Sequence, residues 1–300
     1  MKRINILLLL ILASCGFYAC EEEVVLTLED APPVLVIDAW LNDKAEDQVI
    51  YLNETQPYFE NQLPEGITGA VVEVTDDQGT VFSFTEASPG RYVWPYQGDV
   101  IGEVGREYTL RIESEGQVYS AFSEMRRVPE VDSVVFNFRE DGDAFREVGY
   151  YGEFVAKDFV GTGDAYWIKA YKNDTLLLRP FEINIAVDAG FSTGGNIDGV
   201  VFIQPIQDGV NPLNDDLDAI IPYEIGDSLY VEIHSLTIDA FDFLSQMAIQ
   251  TQRDGGFDEI FAEPLENLPS NIERDGDSEE PIVGFFSVSA VKGNGKKLEP

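Results

Sequence analysis

Acidic and amide side chains are concentrated in one segment that also contains glycine and proline, residues 208–218. Its side-chain oxygens come from Asp208, Asn211, Asn214, Asp215, Asp216 and Asp218. Carboxylate and amide oxygens are the ligands that calcium prefers, although the spacing does not match the EF-hand loop. Asn and Asp also form turns by bonding to nearby backbone groups. The sequence therefore leaves two interpretations open, a calcium site and a loop held by turn chemistry.

Nucleophiles and soft metal ligands are scarce. His234 is the only histidine, and the two cysteines, Cys15 and Cys20, both lie near the start of the chain. These are too few imidazole and thiolate ligands for a transition-metal site. The sequence contains no glycine-rich phosphate loop, no Gly-x-Ser-x-Gly elbow and no His-Glu-x-x-His motif. We therefore expect no catalytic residues, and a hydrolase that uses two carboxylates is the enzymatic alternative, because the chain has 55 acidic residues.

Three aromatic side chains recur at every second position, Tyr92, Trp94 and Tyr96. In an extended segment they share one face, where they could contact a sugar or a partner protein. The other interpretation is that they lie on the buried face of a sandwich, where large aromatics usually contribute to the core.

The first 19 residues are typical of a secretory signal. Lys2 and Arg3 precede an apolar run at residues 4–13, and small residues follow. That run is about half the ~20 residues that a membrane-spanning helix needs. We expect export, followed by removal of residues 1–19.

Either cysteine could receive a lipid. Residues 12–15 spell the better lipobox and end at Cys15, whereas residues 17–20 give a more usual signal length and end at Cys20. Cys20 is also followed by an acidic triplet that resembles the surface-export signal of Bacteroidetes lipoproteins: Glu21, Glu22 and Glu23. We favour Cys20, with Cys15 as the alternative, and expect residues 20–33 to be anchor and linker.

The charge of the chain argues against nucleic acid as a partner. There are 19 Lys and Arg residues against 55 Asp and Glu residues, a formal net charge of -36. Removing Lys2 and Arg3 with the signal leaves 17 against 55, or -38. Such a surface repels phosphate backbones.

The body has the short alternating segments of an all-β protein. Seven segments predict an immunoglobulin-like or transthyretin-like β-sandwich domain over residues 34–128: 34–41, 49–52, 70–75, 81–85, 91–94, 108–113 and 118–122. Val128-Pro129 predicts a boundary, because proline cannot donate within a sheet.

Residues 129–300 predict a second β-rich domain that contains one helix. Strands are expected at 133–138, 152–159, 166–172, 229–234 and 284–291, with a long loop at 188–218 and a polar tail from Lys292. Thr237 can cap a helix near residues 238–252, where Ile238, Phe241, Leu244, Ala248 and Ile249 recur near helical spacing.

Five segments of the chain resemble the DUF4249 family of Bacteroidetes lipoproteins: residues 20–28, 34–41, 226–233, 267–272 and 284–291. The resemblance implies an outer-membrane lipoprotein whose relatives often accompany a TonB-dependent receptor, and it implies no established activity. It also supports Cys20 as the anchor.

Together these features predict a surface-exposed, non-enzymatic accessory or ligand-capture partner of a TonB-dependent receptor β-barrel. The protein would be held in the outer membrane by its N-terminal lipid and would face the cell exterior. The alternative from another functional class is a structural or envelope-assembly lipoprotein that has no ligand.

Overall fold

The computed structural model describes residues 32–57, 60, 62–191, 198–253, 266–276 and 281–300. Residues 33–300 form one compact unit. Its strands are β1 (Leu35–Asn42), β2 (Gln48–Glu54), β3 (Val71–Asp76), β4 (Val81–Ser88), β5 (Arg91–Trp94), β6 (Glu107–Ser114), β7 (Gln117–Glu124), β8 (Val131–Arg139), β9 (Gly149–Ala156), β10 (Ala165–Lys172), β11 (Thr175–Leu177), β12 (Asn184–Val187), β13 (Ser228–Leu236), β14 (Ile272–Arg274), β15 (Val283–Ser289) and β16 (Val291–Lys297). The helices are α1 (Gln204–Asp208), α2 (Ile238–Thr251) and a 3-10 turn at Pro180–Glu182.

Nine strands form one large sheet in the order β14-β7-β6-β3-β4-β5-β2-β1-β15. Its two edges approach each other near Asn271, the residue before β14. Asn271 donates from Nδ2 to the carbonyl of Phe122 in β7 and to the carbonyl of Phe286 in β15. Val288 of β15 also donates to Ser123 Oγ at 3.0 Å. The sheet is therefore nearly closed, and the all-β prediction is confirmed.

Alternation along the strands fills the interior of this sheet. In β1, Ile37, Ala39 and Leu41 are at most 1% exposed, whereas Asp38 and Trp40 point outward. The same period of two places the inward residues of the other strands in one core with them. All seven strands expected between residues 34 and 122 are present, within one to three residues of their expected ends.

A second sheet has the order β11-β10-β13-β16, with β12 paired to β10. Strand β8 pairs with β9 in a separate ribbon, and Asn294 of β16 donates to the carbonyl of Val131 in β8. The polar tail expected from Lys292 was wrong, because residues 291–297 form β16 along β13. Three short strands, β11, β12 and β14, were also not predicted.

The boundary expected at residue 128 stays a prediction. The large sheet that residues 35–124 form is completed by β14 and β15, which lie beyond residue 270. In particular, β15 pairs parallel to β1, with Ile37 opposite Gly284.

Helix α2 confirms the helix expected near residues 238–252. Thr237 accepts a hydrogen bond from Ala240 N at 3.2 Å, as expected for the cap. Its buried face consists of Ala240, Phe243, Leu244 and Ala248. Ile249 was expected on that face but is 60% exposed, so the face is rotated from the predicted one. The stretch expected as a loop at 188–218 contains the five-residue α1.

Candidate ligand-binding groove

An apolar cavity of about 470 Å³ lies where the large sheet, the second sheet and α2 meet. Strands β1 and β2 supply one wall with Asp38, Trp40, Val49 and Tyr51. The facing surfaces come from Trp167, Lys169, Leu176, Leu178, Pro180, Ile183, Phe243, Leu244, Met247 and Thr251. Concave, mainly apolar sites with few polar groups are the usual form of a small-molecule site, at volumes of roughly 300–1,000 Å³.

Strand alternation directs these side chains toward the cavity. Asp38 and Trp40 are on the outward face of β1, because their neighbours fill the interior of the large sheet. In β10, Ile168 belongs to the main core, whereas Trp167 belongs to a separate aromatic cluster beside α2. The cavity is thus lined by the faces of β1 and β10 that point away from the main core.

Trp40 is the centre of that aromatic cluster. Its ring lies 5.5 Å from the Trp167 ring in an edge-on arrangement and 5.6 Å from the Phe285 ring in a stacked one. Phe243 of α2 joins them, 4.9 Å from Phe285. Because aromatic pairs at these separations stabilise beyond their buried area, the cluster fixes the wall of the cavity.

A second apolar cavity of about 520 Å³ adjoins the first. Asp38, Trp40, Phe243 and Met247 line both cavities. The second one continues toward Leu268 and Phe285. We call the two cavities together the β1–α2 groove.

Two charged side chains of opposite sign line the first cavity, Asp38 on β1 and Lys169 on β10. Lys169 Nζ lies 3.9 Å from the centroid of the Trp167 ring, a cation–π contact. In the described part of the chain, neither side chain has a hydrogen bond or an ion pair within 4.0 Å. Each charge therefore lacks a direct protein counter-ion.

Burial disfavours the charged form of both groups, so it lowers the pKa of Lys169 and raises the pKa of Asp38. It lowers the pKa of Lys169 to about 8, although Glu232, Glu46 and Asp38 oppose the shift. Asp38 is open to solvent on one side, but the crowding protein atoms raise its pKa, with Lys169 opposing. A ligand charge opposite to either group would favour its ionised form.

A buried polar network lies beside the cavity on the same face of the second sheet. Glu232, which is 3% exposed, binds Lys44 Nζ through Oε1 at 2.8 Å. Its Oε2 accepts a hydrogen bond from Tyr171 Oη at 3.0 Å and lies 3.1 Å from His234 Nε2. The neutral histidine donates in the Nε2–H tautomer.

The pKa values in this network follow from burial and these bonds. Burial alone would raise the pKa of Glu232, but hydrogen bonds from His234 and Lys44 lower it to about 2. Burial lowers the pKa of His234 to about 4, against the hydrogen bond to Glu232. Burial and Glu232 raise the pKa of Tyr171 to about 12. At neutral pH the network therefore holds a carboxylate, an ammonium and a neutral imidazole.

The aromatic row expected to contact a ligand is divided by the structure. Tyr92 is fully buried, and its hydroxyl accepts from Ala70 N and donates to the Ile67 carbonyl. It is a core residue and cannot contact a ligand in this conformation, because β5 turns it inward. Trp94 is half-buried against Phe82, and Tyr96 is 40% exposed. A contact role for Trp94 and Tyr96 stays a prediction.

The 208–218 segment uses many of its oxygens to hold the chain together. Asn211 pairs with both backbone groups of Gly152 and is buried. Asn214 Oδ1 accepts from the backbone of Asp218 and Ala219, while its Nδ2 donates to Asp218. Asp208 forms an ion pair with Arg146 at 3.3 Å. These contacts are turn and scaffold chemistry. In the described part of the chain, no hydrogen bond or ion pair involves the side chain of Asp215 or Asp216. Calcium binding here stays a prediction.

Three other carboxylates meet elsewhere in the described ranges, those of Asp158, Asp188 and Asp198, with one oxygen from each within 4.8 Å of the others. Backbone N–H groups bind all three, including Gly163 N to Asp188 and Gly161 N to Asp198. These bonds tie the loops beside β9, β10 and β12 together. Burial raises the pKa of Asp158, with Tyr166 opposing through a hydrogen bond.

The predicted lipid and export residues, Cys15, Cys20 and Glu21 to Glu23, lie outside the described residues. His234 lies on the face of β13 opposite the core residues Val231 and Ile233, and it bonds to Glu232. Sequence reasoning did not identify Asp38, Trp40, Trp167 or Lys169. One signal was present: Asp38 and Trp40 alternate with core residues, so a large aromatic side chain had to point away from the main core.

In the described part of the chain, no helix has both the length and the apolarity to cross a membrane. No curated protein sequence matches the chain. The model of one family does match, over residues 21–294, and its description is "Domain of unknown function (DUF4249)". That match covers most of the sequence, including every residue of the groove. The chain belongs to the DUF4249 family.

Proposed function

We propose that this chain is an exported, non-enzymatic lipoprotein that captures a small ligand in the β1–α2 groove. It is anchored in the outer membrane through Cys20, faces the cell exterior, and passes its ligand to a TonB-dependent receptor. The observation that carries the capture role is the groove itself, an apolar cavity with two charged side chains that have no direct counter-ion among the described residues.

The groove supports binding because its walls are rigid before any ligand arrives. The aromatic rings of Trp40, Trp167, Phe243 and Phe285 hold one another. The Glu232 network fixes the neighbouring part of the second sheet. Preformed sites lose less conformational entropy on binding, which raises affinity.

The location and the partner are supported by the sequence. Residues 1–19 have the layout of an export signal, and Cys20 with the following glutamates has the form of a surface lipoprotein anchor. Two or more acyl chains are enough for stable membrane anchoring. The receptor partner is what the resemblance to Bacteroidetes lipoproteins implies.

The test is affinity purification of the tagged protein from its own membranes in mild detergent, followed by mass spectrometry. We expect a TonB-dependent β-barrel to be recovered in near-stoichiometric amounts. Recovery of the lipoprotein without any β-barrel would overturn the partnership.

A groove-filling substitution tests capture separately. Val49→Trp places a large ring in the cavity, while Val71→Trp adds the same ring at a strand position that is 51% exposed. We expect the Val49→Trp protein to co-purify with the receptor normally. The strain that carries it should nevertheless grow as poorly as a deletion strain, in a medium where growth depends on this protein. Normal growth of the Val49→Trp strain, in a medium where the deletion strain fails, would contradict capture in this groove.

A further inference from the structure

The two charged residues of the groove limit the chemistry of its ligand. They lie on opposite walls, because Asp38 belongs to the large sheet and Lys169 to the second sheet. The remaining lining of this cavity is apolar or aromatic, apart from the hydroxyl groups of Tyr51 and Thr251. A ligand that fills the cavity thus meets one anion, one cation and a continuous apolar surface.

Among the residues that the structure describes, neither charge has a hydrogen-bonded or ion-paired partner. The neighbouring cation Lys44 is bound by Glu232 and Glu46, at 2.8 and 3.3 Å. Lys169, opposite Glu232 across the strand pair, has no such bond in the described part of the chain and contacts only the Trp167 ring. Asp38 likewise has no bonded partner there. The Lys169 ammonium can donate charge-assisted hydrogen bonds to a bound molecule, and the Asp38 carboxylate can accept them.

A ligand with one charge would satisfy only one of these residues. An anion would pair with Lys169 but would meet the Asp38 carboxylate in the same cavity, and a cation would meet the reverse problem. A molecule that carries both charges satisfies both residues, and its apolar part can contact Trp40 and Trp167. Asp38 and Lys169 form no ion pair with each other in the described part of the chain, although each charge affects the pKa of the other across the cavity.

We propose that the groove binds a zwitterionic amphiphile of the amino-acid or short-peptide type, with its carboxylate on Lys169, its ammonium on Asp38 and a bulky apolar side chain against the two tryptophans. This inference rests on the proposed capture function and names the ligand class of the same site. The charged groups that face Lys169 are Asp38 on β1, Lys44 and Glu46 in the turn after it, and Glu232 on β13.

Three isosteric probes test the class by isothermal titration calorimetry at pH 7. The zwitterion is 3-(1-naphthyl)alanine, the anion is 3-(1-naphthyl)propanoate, and the cation is 2-(1-naphthyl)ethylamine. The protein is the mature lipidated chain in phospholipid nanodiscs, with empty nanodiscs as the reference. Because the zwitterion gains one more hydrogen bond to a charged group than either singly charged probe, we expect it to bind at least roughly tenfold more tightly than the anion or the cation.

Two substitutions assign the charges. Lys169→Met should lower the affinity for the zwitterion at least roughly tenfold and leave the affinity for the cation unchanged or higher. Asp38→Asn should lower the affinity for the zwitterion by a similar factor and leave the affinity for the anion unchanged or higher. Lys157→Met removes the same charge at an exposed site and should change nothing. If Lys169→Met does not fold, the three probes on the wild-type protein still decide the question.

Equal affinity of the wild-type protein for all three probes overturns the zwitterion class, and so does binding of none. A substitution that weakens all three probes alike also overturns it, because it then acts on the shape of the groove. These results are distinct from failure of the capture proposal, which is measured by receptor recovery and by the growth of the Val49→Trp strain.

Discussion

The only histidine, His234, lies beside the groove with 5% of its surface exposed and its ring 6.4 Å from that of Trp167. Burial lowers its pKa to about 4, from the ordinary 6.5, and Lys169 contributes to the shift. As the pH falls, the imidazole of His234 is therefore protonated near pH 6.5 in the unfolded chain but only near pH 4 in the folded protein. Stability from this group is complete above pH 6.5 and decreases as the pH falls through that window.

His234→Gln should remove this dependence, since Gln can still donate to Glu232 but does not titrate. Between pH 7 and pH 5 we expect the wild type to lose about 2 kcal/mol more than the variant. Urea unfolding at the two pH values gives the difference, in which the contributions of the many carboxylates largely cancel. The same loss in both proteins would show that His234 is protonated in the folded state.

Glu232 also stabilises the folded protein through a lowered pKa, but its contribution is lost at a lower pH. Its pKa is lowered to about 2, so its contribution to stability persists far into the acid range and decreases only as the pH falls from about 4.5 toward 2. The two neighbouring side chains thus respond to acid in different windows, the histidine first and the glutamate later.

At the scale of secondary-structure elements, the pairing of β1 with β15 depends on one glycine. Gly284 has φ +113°, and an added Cβ would lie 1.9 Å from the Ile37 carbonyl oxygen. L side chains rarely adopt this φ, and here the space is also filled by the backbone of the adjacent strand.

Gly284→Ala should therefore separate β15 from β1 and cost about 3 kcal/mol or more. Gly105→Ala is the matched control, because Gly105 also has a positive φ but no atom lies within 4 Å of its added Cβ. The control should lose only the conformational cost, about 1–2 kcal/mol. Equal losses in thermal or urea unfolding would contradict the steric argument.

The elements that the sequence predicted are those whose signal is local. Seven strands and α2 have alternating or helical apolar periods, and Thr237 is a cap that can be read from its neighbours. Strand β16 carries no such signal, because it is polar and contains Gly293 and Gly295. It forms because β13 offers it a backbone edge and Tyr230 lies across both glycines.

The groove could not be predicted for a related reason. Its two charges are 131 positions apart in the sequence, and only the packing of the second sheet and α2 on β1 brings them to one cavity. The aromatic row at residues 92–96 had a clear period of two, but that period does not tell which face is buried. The structure buries Tyr92.

At the scale of the whole molecule, the proposed lipid anchor would set how the protein attaches to a membrane. A net charge of -38 after signal removal would be repelled by anionic lipid headgroups, so the lipid is the attachment that the sequence offers. The glutamates after Cys20 resemble a signal for transfer to the cell surface.

We therefore expect protease added to intact cells to digest the protein, with a known surface protein and a periplasmic protein as controls. Cys20→Ala should abolish lipid labelling, whereas Cys15→Ala should not. Changing Glu21, Glu22 and Glu23 to alanine should keep the lipid but protect the protein until the cells are broken. Loss of label in Cys15→Ala alone would move the anchor to Cys15, and protection of the wild type would refute the surface location.

The parallel pairing of β1 with β15 also determines when the fold can be completed. Strand β1 can pair on this side only with a strand about 247 residues further along the chain, since Val36 lies opposite Val283. Contacts this distant in sequence are formed slowly, because a long loop must close before they contribute. A chain that crosses a membrane N-terminus first would leave one side of β1 unpaired until the last 20 residues emerge, and during that interval the exposed edge is open to aggregation. The proposed export would therefore require a holding factor that shields β1 until β15 has emerged.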